Sequence, residues 1–249
     1  MQHTLGAALR TMGTRAEGDE GKRLLSEAVQ AFRSAFEVYT REQLPQDWAT
    51  TQSNLGGALS DLGTRIEGKH GNEHLAEAVR ALRSALEVYT REGNPQDWAA
   101  VHNNLGTTLR SLGTRVGGED GKRLLAESAQ AFRRALEICT REQTPWDWAA
   151  IQNNLGNALS HLGKDIAGED GNRLLAEAVQ AFRSALEVYT RDQAPRQWAI
   201  TCHNLGGALL SQLDRASGGD AARLAEELDR IMQALMAYES AQSKKTTGK

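Results

Sequence analysis

The chain has 249 residues, a formal net charge of −3, 40% hydrophobic residues and 24% charged residues. That composition supports a buried core, and the near balance of charge excludes nucleic acid as a general partner, because phosphate binding needs clustered positive charge. No apolar run approaches the roughly 18 residues that cross a bilayer, so no membrane partner is expected.

The chain repeats every 50 residues: Trp48, Trp98, Trp148 and Trp198 each open a block, and a Leu-Gly pair such as Leu105-Gly106 begins seven residues after each. Its four prolines, Pro45, Pro95, Pro145 and Pro195, keep the same period. Such a period marks a solenoid, a single quasi-linear array. Repeats are expected at 1–44, 45–94, 95–144, 145–194 and 195–240, followed by a flexible polar tail over 241–249.

The first repeat opens at the equivalent of Thr51, so its first helix is expected to lack the Pro and Trp turns. In the second, Pro45 suits the first helical position, and Trp48, Leu55, Leu59 and Leu62 share one face. Gly63 is expected to stop that helix, and Thr64 to Asn72, with Gly68 and Gly71, to form a loop. A second stripe, Leu75, Ala78, Val79, Leu82, Ala85, Leu86 and Tyr89, fades after Arg91-Glu92. The two helices are predicted at roughly 18 and 20 residues, about 27 to 30 Å each. A kelch-type β-propeller has a similar period, but apolar and polar residues do not alternate here, and helix formers dominate.

Gly6, Gly56, Gly106, Gly156 and Gly206 lie inside first helices, where each costs up to about 1 kcal/mol relative to alanine. Close helix approach is the expected return, with Ala28, Ala78 and Ala178 facing them. A recurrent asparagine (Asn54, Asn104, Asn154, Asn204) is expected to bond between neighbouring helices.

These residues resemble the tetratricopeptide repeat. The first-helix signature is Trp98 with Leu105-Gly106. The second-helix signature is Ala28, Phe32 and Ala35, repeated as Ala78, Leu82, Ala85 and as Ala178, Phe182, Ala185, with Ser128 replacing the first alanine before Phe132 and Ala135. The usual unit is roughly 34 residues, so the period of 50 resembles the long-helix variants of bacterial signalling arrays and the kinesin light chain. The resemblance implies an all-α, right-handed α-solenoid of antiparallel hairpins, about five repeats, acting without catalysis as a protein-interaction scaffold. First helices would line a concave groove holding an extended peptide or a partner helix.

On that groove face the blocks differ most. Candidate peptide-binding residues are Arg10, Ser53, Asn103, Thr107, Arg110, Asn153, Asn157 and His203, whose polar groups suit a peptide backbone. The rival reading is a self-assembling module. Leu228, Met232, Leu235 and Met236 form an apolar surface on the last helix, giving a homo-oligomer through terminal helices.

No catalytic motif, metal site or cofactor is expected. Only His70 and His74 among the histidines have helical spacing, and acidic stretches such as Gly118-Glu119-Asp120-Gly121 lack the ligand pattern of a calcium loop. They read as helix-connecting turns, with Arg15, Arg65 and Arg115 able to pair with their acids. Cys139 and Cys202 stand in different repeats without counterparts, and the first residues show no secretory signal, so reduced thiols and a cytoplasmic setting are expected.

Overall fold

A computed structural model describes residues 1–247, with side chains through residue 240. Among these residues the chain is an all-α helical repeat array with no strand. Each 50-residue period is a hairpin of two antiparallel helices: α1 (Gln2–Arg15) and α2 (Gly18–Ala35), α3 (Pro45–Arg65) and α4 (Gly68–Ala85), α5 (Pro95–Val116) and α6 (Gly118–Ala135), α7 (Pro145–Asp165) and α8 (Gly168–Leu186), α9 (Pro195–Leu213) and α10 (Gly218–Thr247). The chain forms two compact units, Met1–Ile138 with α1 to α6, and Cys139–Lys249 with α7 to α10. α10 runs through most of the stretch expected to be a tail. Residues 248 and 249 lie outside the described residues.

Proline begins α3, α5, α7 and α9, where its missing amide hydrogen goes unneeded. The turn within each hairpin is far shorter than its glycines suggest. Gly63 does not stop α3 but lies buried inside it. Only Ile66 and Glu67 separate α3 from α4, because Gly68 starts the next helix at φ 69°, a left-handed conformation that costs glycine little. Gly63 and Gly71 let the helices cross tightly beside this turn: a Cβ on Gly63 would stand 3.0 Å from the Gly71 carbonyl oxygen. Acids expected in a turn, such as Glu119 and Asp120, occupy the first turn of α6, where they complement the helix dipole.

The second helices are shorter than their apolar stripe. α4 ends at Ala85, whose carbonyl oxygen accepts from the Val88 and Tyr89 amides. The stripe continues because the connecting segment is itself buried. Val88 and Tyr89 pack with Trp48, Ala49 and Trp98, and the Tyr89 hydroxyl lies 2.6 Å from Thr50 Oγ1.

Within the hairpins, glycine meets a large side chain as well as the position of the alanine expected to face it: a Cβ on Gly56 would also lie 3.2 Å from the Ala78 carbonyl oxygen. A Cβ on Gly6, Gly106 or Gly156 would lie 2.7 to 2.8 Å from Cε1 of Phe32, Phe132 or Phe182; on Gly56 it would lie 2.6 Å from Leu82 Cγ. The glycine notch therefore seats a wholly buried side chain, a phenyl ring at Gly6, Gly106 and Gly156 and Leu82 at Gly56. At the alanine position Ser128 is also wholly buried, and its hydroxyl donates to the Gly106 carbonyl at 2.6 Å.

Within each unit, successive hairpins join by a recurring set of contacts. Leu25, Val29 and Phe32 of α2 share a core with Leu55 and Leu59 of α3, and Val79 and Leu82 of α4 share one with Val101, Leu105 and Leu109 of α5. Ion pairs Arg33–Glu77 (2.6 Å), Arg83–Glu127 (2.5 Å) and Arg183–Glu227 (2.5 Å) link second helices, and being exposed they contribute little each. An arginine ending a first helix also bonds the preceding hairpin's turn. Arg65 donates to the Thr14 and Ala16 carbonyls at 2.9 and 2.8 Å, and Arg115 to those of Gly63, Thr64 and Ile66 at 2.8 to 2.9 Å. Arg215 does the same with Lys164 and Ile166, both at 3.1 Å. The acids expected as partners of Arg65 and Arg115 are replaced by main-chain carbonyls.

Candidate protein-binding surfaces

The variable face of the first helices is a polar surface in the first unit. Arg10 on α1 pairs through Nε with Asp61 on α3 at 2.7 Å. The guanidinium lies over Gly57, where a Cβ would come within 2.5 Å of its central carbon and the end of the arginine would have to shift. Asn54 meets His3 at 2.9 Å, an inter-helix bond of the expected kind, and the Thr108 hydroxyl stands 3.1 Å from Ser60. Ser53, Asn103 and Thr107 are half-buried, with the Thr107 hydroxyl donating to the Asn103 carbonyl at 3.0 Å.

Arg110 on α5 differs from Arg10. Its side chain is half-buried, and its Nε finds no hydrogen-bond partner. Burial lowers its pKa from the ordinary guanidinium value. A buried N–H without an acceptor costs about 1–3 kcal/mol, so this group gains from an incoming carbonyl or carboxylate.

The corresponding face of the second unit is more mixed. Asn157 donates to the Asn153 carbonyl at 3.0 Å, and Asn204 to the Asn153 side-chain oxygen at 3.2 Å. On α9, His203 is exposed between the equally exposed Ile200 and Leu210.

The apolar surface expected on α10 is partly turned inward. Leu235 is 7% exposed and Leu228 half-buried, leaving Met232 and Met236 outside at 47% and 65%. The reason is a displaced stripe: Leu224, Leu228, Ile231, Leu235 and Tyr238 replace the spacing of Leu25, Ala28, Val29, Phe32 and Ala35. Asp229 stands where Val29, Val79 and Val179 stand, exposed and bonded by Gln233 at 2.7 Å.

Two features escape the sequence reading. His102 is 2% exposed, edge-on to Trp98 at 4.4 Å, with Nδ1 unpartnered. Burial first, and the Arg134 charge second, push its pKa down to about 4. Its period equivalents are Gln52, Gln152 and Cys202, so the substitution itself was a visible signal. The Arg10–Asp61 pair was equally visible as opposite charges 51 residues apart. Both cysteines are buried thiols; burial raises both, Cys202 to about 11. No described helix is long and apolar enough to cross a membrane.

No family model matches the chain, and no curated protein matches it. Among solved structures it is similar to a circular tandem repeat protein with novel repeat topology and enhanced subunit contact surfaces, at 18% identity and a TM-score of 0.40. The match covers 98% of this chain, which spans 60% of the other protein's length.

Proposed function

We propose that the array is a tetratricopeptide-type, non-catalytic scaffold that holds an extended peptide along the first helices of its first unit. Arg110 carries this reading: a half-buried guanidinium whose Nε lacks an acceptor, on the face where the repeats differ most. Asn103, Thr107 and Ser53 flank it with half-buried polar groups suited to a peptide main chain. Arg10 serves the surface indirectly, because its charge is already matched by Asp61. In the second unit, taken by itself, Asn153, Asn157 and His203 offer polar groups of the same kind, with Ile200 and Leu210 favouring an apolar residue nearby. The ligand class is a peptide presenting a carboxylate or an unpaired carbonyl to Arg110.

Selection of a displayed random-peptide library against the intact chain tests this. Binders enriched in Asp or Glu are expected, and Arg110→Ala should weaken them roughly tenfold or more, the worth of one charge-assisted hydrogen bond. Binders indifferent to Arg110→Ala, or no binders at all, would overturn the reading.

A further inference from the structure

We propose that a cleft between α8 and the α9–α10 turn, within the second unit, binds a small organic phosphate. It goes beyond the peptide reading and uses different residues.

The cleft measures about 430 Å³ and is walled by Val179 and Arg183 of α8, Gln212 and Arg215 at the end of α9, and Asp220 and Arg223 of α10. Its α10 wall faces α8, so the cleft lies between hairpins rather than on a terminal face. It opens because two apolar fillers are replaced. Gln212 stands where Leu62, Leu112 and Leu162 are 3%, 9% and 6% exposed, and Ala216 stands where Ile66, Val116 and Ile166 stand. The turn is longer as well: residues 214–217 separate α9 from α10, whereas Ile66 and Glu67 alone separate α3 from α4.

Three guanidiniums reach this cleft from three different walls, and their charges are unequally matched. Arg183 is committed to Glu227 at 2.5 Å. Arg223 holds Asp220 at 3.5 Å, with the two side chains 76% and 78% exposed, a contact of little worth. Arg215 straps the preceding turn through the Lys164 and Ile166 carbonyls, both at 3.1 Å. Carbonyl oxygens satisfy its donors but carry no formal charge to neutralise it. Arg65 and Arg115 are half-buried in the same role, whereas Arg215 is exposed.

A comparison inside the chain isolates the cause. Arg83, Arg115 and Arg123 stand at the equivalent positions around α4, α5 and α6, with Asp120 and Glu127 as their acids. There Leu112 and Val116 hold the positions of Gln212 and Ala216. The second unit therefore keeps the charges and exchanges apolar fill for an amide and open volume. A phosphate suits this set better than a carboxylate, because its three free oxygens can accept from guanidiniums arriving on different sides. The Gln212 amide adds a neutral donor. Val179, Ala216 and Leu224 supply apolar surface for a small organic body.

Isothermal titration of the intact chain with phenyl phosphate, inorganic phosphate and phenylacetate tests the proposal. Phenyl phosphate is expected to bind roughly tenfold or more tightly than either of the others, and to weaken as salt rises. Gln212→Leu combined with Ala216→Ile installs the residues of the α3 and α7 hairpins and changes no charge. This double variant should keep its helicity and weaken phenyl phosphate roughly tenfold or more. Arg223→Gln, at an exposed position, should also weaken it, by about fivefold or more. Arg110→Ala should leave binding unchanged, which separates failure here from failure of the peptide reading. No binding of phenyl phosphate, or binding that survives the double variant, overturns the proposal. Phenylacetate binding equally well would overturn the phosphate, and inorganic phosphate binding equally well would overturn the organic body.

Discussion

Hairpins α5–α6 and α9–α10 begin alike and finish differently. Both start with proline, both carry the Leu-Gly pair, and both second helices start at a left-handed glycine, Gly118 at φ 59° and Gly218 at φ 61°. In α5–α6 the Phe132 ring then fills the notch at Gly106. In α9–α10 no ring fills it: among the described residues a Cβ on Gly206 would meet Leu228 Cδ1, at an ordinary contact distance of 3.6 Å, while Met232 faces solvent. Turn chemistry sets where the second helix starts, but the apolar spacing sets which face it buries. Glycine and ring form one device, and each loses its purpose without the other.

The difference can be broken first at the ring. Phe132→Ala should destabilise the first unit by about 3–5 kcal/mol, because a wholly buried aromatic leaves a cavity. Met232→Ala, at a 47% exposed site, should change stability by less than about 1 kcal/mol. Chemical denaturation of both variants measures this, and equal losses would contradict the assigned roles.

The second break is acidic. His102 in α5 has Cys202 as its equivalent in α9, and only His102 titrates in the acid range. Its folded pKa of about 4 lies below the ordinary 6.5, so the unfolded chain binds the proton more readily. Stability from this group is complete above pH 6.5 and declines as the pH falls from 6.5 towards 4, by a total of about 3 kcal/mol. His102→Gln, the residue type at positions 52 and 152, should remove that decline. A pH profile of unfolding unchanged by His102→Gln would show that other groups carry the acid sensitivity.

The mildest test compares the glycines. Gly106→Ala should cost about 1–3 kcal/mol, since its methyl would press on a ring with nowhere to move. Gly206→Ala should stabilise α9 by up to about 1 kcal/mol through helix propensity alone. Paired thermal melts give the two signs, and a stabilised Gly106→Ala would mean the ring yields after all.

Much of this architecture is legible in the chain because each signal occurs several times in phase. Pro45 and its equivalents mark helix starts, and the Leu-Gly pair marks close packing. Boundaries are less legible because Gly63 and Gly68 look alike in sequence. One lies buried within α3 for tight crossing, while the other supplies the left-handed start of α4. The buried Tyr89 segment likewise extends an apolar stripe beyond the helix that began it. The arginine straps were hidden for a different reason: their acceptors are main-chain carbonyls, which every residue possesses. On the candidate surface, Arg110 stood out as a cation, but its missing acceptor is a property of packing. The inward turn of Leu235 depended on the displaced stripe of α10, readable only once the hairpin geometry was known.

The straps also bear on how the chain finds its structure. The Arg115 bond to the Gly63 carbonyl spans 52 positions, close to one repeat. A contact of this reach lets a hairpin order against its neighbour, without the entropy of closing a much larger loop. Any hairpin can serve as the nucleus, and its neighbours can add to it in either direction. Amide exchange should correspondingly proceed by partial openings that release one hairpin while the rest stays protected.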